Sequence, residues 1–325
     1  MTAISRTDHR VVTADGIGLR VRLVQPANVP AAALRDRVLV LLHGMETPLE
    51  PTFDLDVPGY SFMEQMAARG HAAIAFDHRN FGRSDRDPAM GAEPVPDGAG
   101  PALFSLDAAA EDTAAVVEDT CARFGVSRVT LLGSSQGTLH ALAYAARRPE
   151  RVRLVIMNNP LAFCFSMGAT EGPRVEETRR MLARYNARFP HSYRVISEPE
   201  FRASLRHRYD LDPAVEEGYI ASCVQSDPDS GRSTPPGFRV PKERFPDRVP
   251  VIDCARIRTP ILMVTAEDVT DDDVAALAAQ LPHPRLRLLR IRDSDHSTLR
   301  NPRRFELYNI VDAALSAWAW AEGAP

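Results

Sequence analysis

Along most of the 325-residue chain, short continuous apolar runs alternate with longer stretches in which apolar residues recur every three or four positions. "RVLVLLHG" at 37–44 and "HAAIAFD" at 71–77 are runs of the first kind, which predicts short strands buried on both faces. Between them, "SFMEQMAARG" sets Phe62, Met63 and Met66 at helical spacing, with Gly70 placed as a C-terminal cap. The order then repeats. A long helix is predicted in 105–125, a strand at 128–133, a helix in 136–150 and a strand at 152–160. Ahead of these, "VVTADGIGLRVRLVQP" reads as two strands joined at Asp15-Gly16. Repeated strand–helix–strand units predict an α/β fold, a mostly parallel sheet with helices on both faces.

The regular pattern stops at Pro160 and resumes at "TPILMVTAED", 259–268, another buried strand. It closes with a helix in "DDDVAALAAQLP", a strand in "RLRLLRIRD" and an amphipathic helix in "NPRRFELYNIVDAALSAWAW". The segment between is mostly helical in pattern, then rich in Pro and Arg; it is too long for a loop and too polar for a core layer. It is expected to be an inserted, mainly helical cap over 161–255, on a core formed by 1–160 and 256–325. No internal repeat or low-complexity tract interrupts this plan.

Composition narrows the function classes. At this length about three quarters of the unfolded surface can be buried, enough for a sizeable core. The hydrophobic and charged fractions, 44% and 25%, are those of a soluble globular protein. A net charge of −4 and a pI near 6.2 give no electrostatic reason to expect nucleic acid or an anionic membrane as partner. Lys242 is the only lysine, a bias that reads as the base composition of a GC-rich bacterial genome before it reads as anion recognition. Cys121, Cys164, Cys223 and Cys254 are scattered, with no histidine at metal-ligand spacing, so they are expected to be reduced and buried, with no metal and no cofactor. The N-terminus has no apolar signal core, and no stretch of about 18 uncharged apolar residues occurs, which makes a cytoplasmic location the simplest expectation.

The chemistry concentrates at "VTLLGSSQGT", 129–138. A G-x-S-x-G between a strand and a helix describes a nucleophile elbow, a sharp turn that lifts one serine Oγ above the end of a sheet. That serine is Ser135. Its backbone is expected to be strained, with Gly133 and Gly137 leaving room for strand and helix to approach closely. The same five residues would also suit an ordinary Gly/Ser turn, so the surrounding segments decide.

Four of those segments, in order, resemble the α/β-hydrolase fold superfamily, and the resemblance covers nearly all of the chain outside the cap. They are "LLHGM"; "DHRNFGRSD", with Asn80 where glycine is usual; the elbow; and "DSDHSTLRNPRRF", with Asp295 in place of a common glycine. Asparagine tolerates the left-handed conformation, so the turn at Asn80 can survive. The resemblance implies a serine hydrolase with nucleophile, acid and base in the order Ser, acid, His. A serine hydroxyl needs a base within hydrogen-bond reach, and the base needs an orienting carboxylate. His296, after the last predicted strand and before the last helix, is the implied base. "TAEDVTDDDV" offers Glu267, Asp268, Asp271, Asp272 and Asp273. Asp268 fits the family's Gly-x-x-Asp with threonine replacing glycine, whereas the three consecutive aspartates suit a helix N-terminus. The resemblance assigns the oxyanion donors to the backbone N–H groups of Met45 and Gln136, with His43 and Gly44 shaping the loop.

Serine at the elbow argues against the epoxide hydrolases and haloalkane dehalogenases of this fold, which use aspartate. The implied reaction is attack on an ester, lactone or thioester carbonyl through an acyl-enzyme. Acyl transfer, carbon–carbon bond hydrolysis, cyclisation of a natural-product intermediate, or ligand binding with little turnover use the same frame and stay open. The partner is a small-molecule substrate; the sequence is silent on oligomeric state. Phe163, Phe165, Tyr185 and Tyr193 in the cap are expected to enclose a mid-sized, largely apolar substrate, or else to be the cap's own packing. Glu46, Asp54 and Asp56 in the loop after the His-Gly motif are candidate substrate contacts, and the arginines of "RRMLARYNARFPHSYRV" invite an acidic substrate, but cap acids are about as numerous as cap arginines and both sets are expected mainly to be solvated.

Overall fold

The structure is a computed structural model, and it describes residues 3–91, 94–96, 99–100, 102–160, 165–166, 171–205, 209, 211–232, 235–245, 252–281 and 286–321. The chain opens with β1 (Ile4–Val12) and β2 (Gly18–Pro26), paired antiparallel from Ile4↔Pro26 to Val12↔Gly18 across the turn at Asp15-Gly16. Then come β3 (Val38–Leu42), the short helix α1 (Leu49–Phe53), α2 (Phe62–Ala68) and β4 (Ala72–Phe76). Ser61 caps α2 by accepting the Glu64 N–H, and Gly70, at φ +86°, follows its end as expected of a residue closing a helix. A two-residue strand β5 (Phe104–Ser105) leads into α3 (Leu106–Phe124), then β6 (Val129–Ser134), α4 (Gly137–Arg147) and β7 (Val152–Asn158).

After β7 the chain leaves the sheet. It forms β8 (Phe165–Ser166), α5 (Pro173–Arg188), β9 (Tyr193–Ser197), α6 (Glu198–Ser204), α7 (Pro213–Ser226), β10 (Gly237–Pro241), β11 (Glu243–Arg244) and β12 (Ile252–Asp253). It returns with β13 (Ile261–Ala266), α8 (Asp271–Gln280), β14 (Leu286–Ile291) and α9 (Arg304–Ala321). The main sheet has eight strands in the order β1-β2-β4-β3-β6-β7-β13-β14. The pairs β1/β2 and β2/β4 are antiparallel and the rest parallel.

Strand period explains the layers. Because successive side chains point to opposite faces, Val38, Val40 and Leu42 of β3 join one apolar cluster with Val116 and Val117 of α3 and Leu139 and Leu142 of α4. Leu39 and Leu41 join the other, with Phe62 and Met66 of α2 and Leu307 and Val311 of α9. Continuous apolar runs in the sequence are thus strands covered on both sides.

The segment between β7 and β13 is less purely helical than its sequence pattern suggests. β9 and β10 form an antiparallel ladder from Tyr193↔Pro241 to Ser197↔Gly237. Phe201, Tyr219 and Phe238 pack with Leu55, Phe81 and Phe104 in a third apolar cluster, which seats the segment on the sheet's C-terminal edge. β11 pairs parallel with β5, Glu243 opposite Phe104.

Candidate active site

β6 is buried along its whole length and runs into Ser135, whose φ of +53° is in the left-handed region. Such a backbone costs of order 1 kcal/mol or more for a non-glycine residue and persists only where its surroundings hold it. Here they do. The Ser135 N–H donates to the Asn158 carbonyl at 2.9 Å, and the Thr138 hydroxyl donates to the Ser135 carbonyl at 2.6 Å. The flanking glycines let strand and helix meet. A Cβ on Gly133 would stand 2.3 Å from the Gly137 carbonyl oxygen, and one on Gly137 would stand 2.2 Å from that of Leu42. Both obstacles are backbone, so neither can swing away.

His296 lies between β14 and α9, and its Nε2 is 2.9 Å from Ser135 Oγ. The loop carrying it is held largely by Asn159, at φ +48° just past β7. The Asn159 amide donates to the His296 carbonyl at 3.1 Å and to Thr298 Oγ1 at 2.8 Å, while its Oδ1 accepts the Ala266 N–H at 2.7 Å. One side chain therefore ties the ends of β7 and β13 to the histidine loop. Nothing in the local sequence pattern around Asn159 announces this role.

Asp268 sits just past β13. Its carboxylate accepts the backbone N–H of His296 at 3.1 Å, and a bond to the imidazole Nδ1 is not among the described hydrogen bonds. The ring edge stays open to the pocket, yet surrounding protein desolvates it and pushes the pKa below the ordinary 6.5. The Asp268 charge opposes that fall and the Arg300 charge adds to it. Of the competing acids, Glu267 accepts from the Tyr209 hydroxyl and from the Asp293 N–H, and Asp271 opens α8.

Gly44 faces the elbow so closely that a Cβ there would lie 3.4 Å from Ser135 Cβ. His43, fully buried, accepts the His78 N–H at Nε2 (3.2 Å), so its Nδ1–H donates to the Gly44 carbonyl at 2.8 Å. This fixes the tautomer, and burial drives the His43 pKa down to about 3. The described hydrogen bonds include none from the amide N–H of Met45 or of Gln136, the two assigned donors. Asn80 adopts φ +68°, as expected for asparagine in place of glycine.

Sequence reasoning missed Glu243. It arrives on β11, is 1% exposed, and its Oε2 accepts from both the Gln136 side-chain amide and His140 Nε2, the latter at 2.9 Å. A carboxylate from the segment between β7 and β13 is thereby buried beneath the elbow. Its only sequence signal is the Lys-Glu-Arg polarity of the short run before Phe245, which looks solvated; the β5–β11 pairing that buries it is non-local.

Ser135 and His296 open into a cavity of about 330 Å³. Met45, Tyr219 and Leu299 supply apolar wall, but Glu46, Arg188 and Arg300 also line it. The aromatic lining expected from the sequence is placed elsewhere. Tyr185 packs on Phe189 and Phe245, and Tyr193 is buried beside Met90 and Leu103. Both tyrosines line an adjoining cavity of about 210 Å³ that shares Met45 and Arg188 with the first. Phe163 and the side chain of Phe165 lie outside the described residues. Among the loop acids, Glu46 is engaged by Arg194, while Asp54 is buried rather than solvated, because Arg6 and Arg22 pair with it at 2.9 Å and Ser61 donates to it. Cys121 and Cys223 are buried free thiols, Cys254 is buried, and Cys164 lies outside the described residues. Among the described residues no group of three or more His, Cys, Asp or Glu is placed to hold a metal ion, and no helix is long and apolar enough to cross a membrane.

A mostly parallel, doubly covered sheet with a serine on a positive-φ turn after a central strand, facing a histidine before the last helix, is the frame of an α/β hydrolase. The sequence matches the α/β-hydrolase fold family over residues 37–299, and the chain belongs to that family. Among solved structures it is similar to a 2-hydroxy-6-oxo-6-phenylhexa-2,4-dienoate hydrolase from Rhodococcus sp. strain RHA1, with TM-score 0.60 and 15% identity over 97% of this chain and 100% of that one. A carboxylesterase from Bacillus subtilis has TM-score 0.57 and 16% identity over 94% and 90% of the two chains. The thioesterase domain from the curacin biosynthetic pathway has TM-score 0.57 and 13% identity over 96% and 99%. At these identities the likeness is one of fold. No curated protein sequence matches this chain.

Proposed function

We propose that this chain is a serine hydrolase that cleaves an ester, lactone or thioester through an acyl-enzyme. The observation that carries the reading is the 2.9 Å contact between Ser135 Oγ and His296 Nε2 at a positive-φ elbow. Ser135 Oγ attacks the carbonyl carbon as its proton passes to His296 Nε2. The oxyanion forms against the Met45 and Gln136 N–H groups, since backbone donors fixed before the charge develops are the effective ones. Collapse expels the alcohol or thiol, which takes the proton from His296. Water then adds to the acyl carbon by the same steps in reverse, releasing the acid and restoring Ser135.

His296 suits the role of base. With its pKa below 6.5 it is neutral, hence able to accept a proton, throughout the neutral range. Asp268 orients it through the loop backbone and stabilises the imidazolium through its charge. Residues 161–255 act as a cap, contributing Arg188 and Tyr219 to the wall of the cavity. The names of the structural neighbours, a dienoate hydrolase, a carboxylesterase and a thioesterase domain, agree with carbonyl chemistry without selecting a substrate.

A fluorophosphonate probe tests this directly. Labelling is expected at Ser135 of the folded protein and absent from Ser135→Ala, with turnover of activated esters falling by several orders of magnitude in that variant. A label mapped to Ser134, or none at all on folded protein, overturns the assignment.

A further inference from the structure

We propose that Arg300 and Arg188 form a carboxylate-binding subsite in the cavity beside Ser135, so that the substrate carries a free carboxylate distant from the carbonyl under attack. The substrate class deepens the serine-hydrolase reading and rests on it; the anion subsite itself does not.

Both guanidinium groups line the cavity that contains Ser135 and His296. Among the described residues neither has an ion-pair partner, although this chain pairs its arginines freely: Arg194 holds Glu46, Arg86 holds Asp227 and Arg202 holds Glu217. Glu46 is the acid among the described lining residues, and Arg194 already engages it. Two cations thus face a cavity whose own carboxylate is taken.

Arg300 is also held in place. One of its terminal nitrogens donates to Ser297 Oγ at 3.1 Å, and its guanidinium carbon stands 3.6 Å from the centre of the Tyr219 ring. Stacking of this kind restrains the planar group and leaves its in-plane N–H groups to donate. Its Nε is buried and, among the described residues, has no hydrogen-bond partner. An atom closed to water is closed to a ligand as well, so a carboxylate in the cavity meets the terminal nitrogens of Arg300, with which it forms charge-assisted bonds. Arg188, at the C-terminal end of α5, is exposed and lies over the Phe189 ring at 5.3 Å. It is the second arm of the clamp. Arg300 is only four residues beyond His296, so an anion bound to it sits within reach of the reacting centre.

The subsite has a further consequence. The Arg300 charge helps keep His296 below its ordinary pKa, and a bound carboxylate neutralises that influence, which makes His296 more basic when the correct substrate is present.

The test uses the full chain carrying Ser135→Ala, so that affinity is read whatever the rate of turnover. Monomethyl glutarate is titrated against its neutral counterpart dimethyl glutarate by calorimetry or competition. The anionic ligand is expected to bind at least tenfold more tightly, with a preference that shrinks as salt is raised. Arg300→Met is expected to bring the ratio of the two affinities close to one, and Arg300→Lys to restore part of it. Arg188→Met, on an exposed helix end where folding is not at stake, is expected to reduce the ratio several-fold. Equal affinity for the two ligands, or a ratio unchanged in both methionine variants, overturns the subsite. Failure of fluorophosphonate labelling at Ser135 instead overturns the hydrolase reading, so the two failures are distinguishable.

Discussion

Glu243→Ala should destabilise the protein by about 3–6 kcal/mol, on the order of half of a typical folding free energy. The magnitude follows from two stranded donors. Glu243 Oε2 accepts both the Gln136 side-chain amide and His140 Nε2 inside a site where all three residues are essentially inaccessible. Each hydrogen bond to a charged group contributes roughly 1.5–3 kcal/mol, and neither donor can turn to water once the carboxylate is gone. Glu243→Gln should cost distinctly less, about 1–3 kcal/mol, because an amide oxygen can take the place of Oε2 and keep both donors satisfied. Its NH₂ then falls where Oε1 stands, and Oε1 has no partner to lose. Activity should follow the same ranking. Gln136 is the proposed oxyanion donor, and losing one donor altogether costs about 10²–10³ in rate, so loosening it should lower kcat by about tenfold or more in the alanine variant. Denaturant titration and ester turnover measure both. An alanine variant within 1 kcal/mol of wild type, or one no less stable than the glutamine variant, would refute the account of Glu243 as the anchor under the elbow.

Two further outcomes are expected. Asp268→Asn keeps an acceptor for the His296 N–H but removes the charge that opposes the fall of the His296 pKa, and turnover should drop by about 10²- to 10⁴-fold, whereas Asp271→Asn at the start of α8 should touch stability by at most about 1 kcal/mol; wild-type rate in Asp268→Asn would remove it from the proposed triad. Stability should fall as pH drops below 6.5, because His43 is held near 3 and His78 well below 6.5 by burial, so both stay neutral in the folded state while the unfolded chain takes up protons. Between pH 6.5 and 5 His43 alone accounts for about 2 kcal/mol of that loss, and urea unfolding that is flat across this range would contradict it.

What local pattern can reveal, it revealed here. Apolar runs with strand period and intervening helical period are signals confined to a few residues, and the burial of β3, β4, β6 and β13 on both faces is what makes those runs continuous. The elbow was equally legible, since Gly133, Ser135 and Gly137 answer to steric demands within one turn, and Asn80 to the left-handed conformation it adopts. The candidate base was readable from motif order, because a connection just past a strand's C-terminal end must emerge at the same edge as the elbow. Other features depend on which distant segments meet. The β9–β10 ladder pairs residues some forty positions apart, and no local period announces it. Glu243 reads as a solvated charge in a polar run until β11 docks beside β5 and carries it under Gln136 and His140. Asn159 becomes a clamp only when the ends of β7 and β13 and the His296 loop converge on it. The same holds for the cavity. Aromatic residues in a sequence show that something apolar must be buried, and Tyr185 and Tyr193 are, but against their own neighbours. Whether an arginine faces solvent, a glutamate or an open cavity depends on partners far away along the chain, and only the tertiary structure sets Arg188 and Arg300 beside Ser135 while Arg194 takes up Glu46.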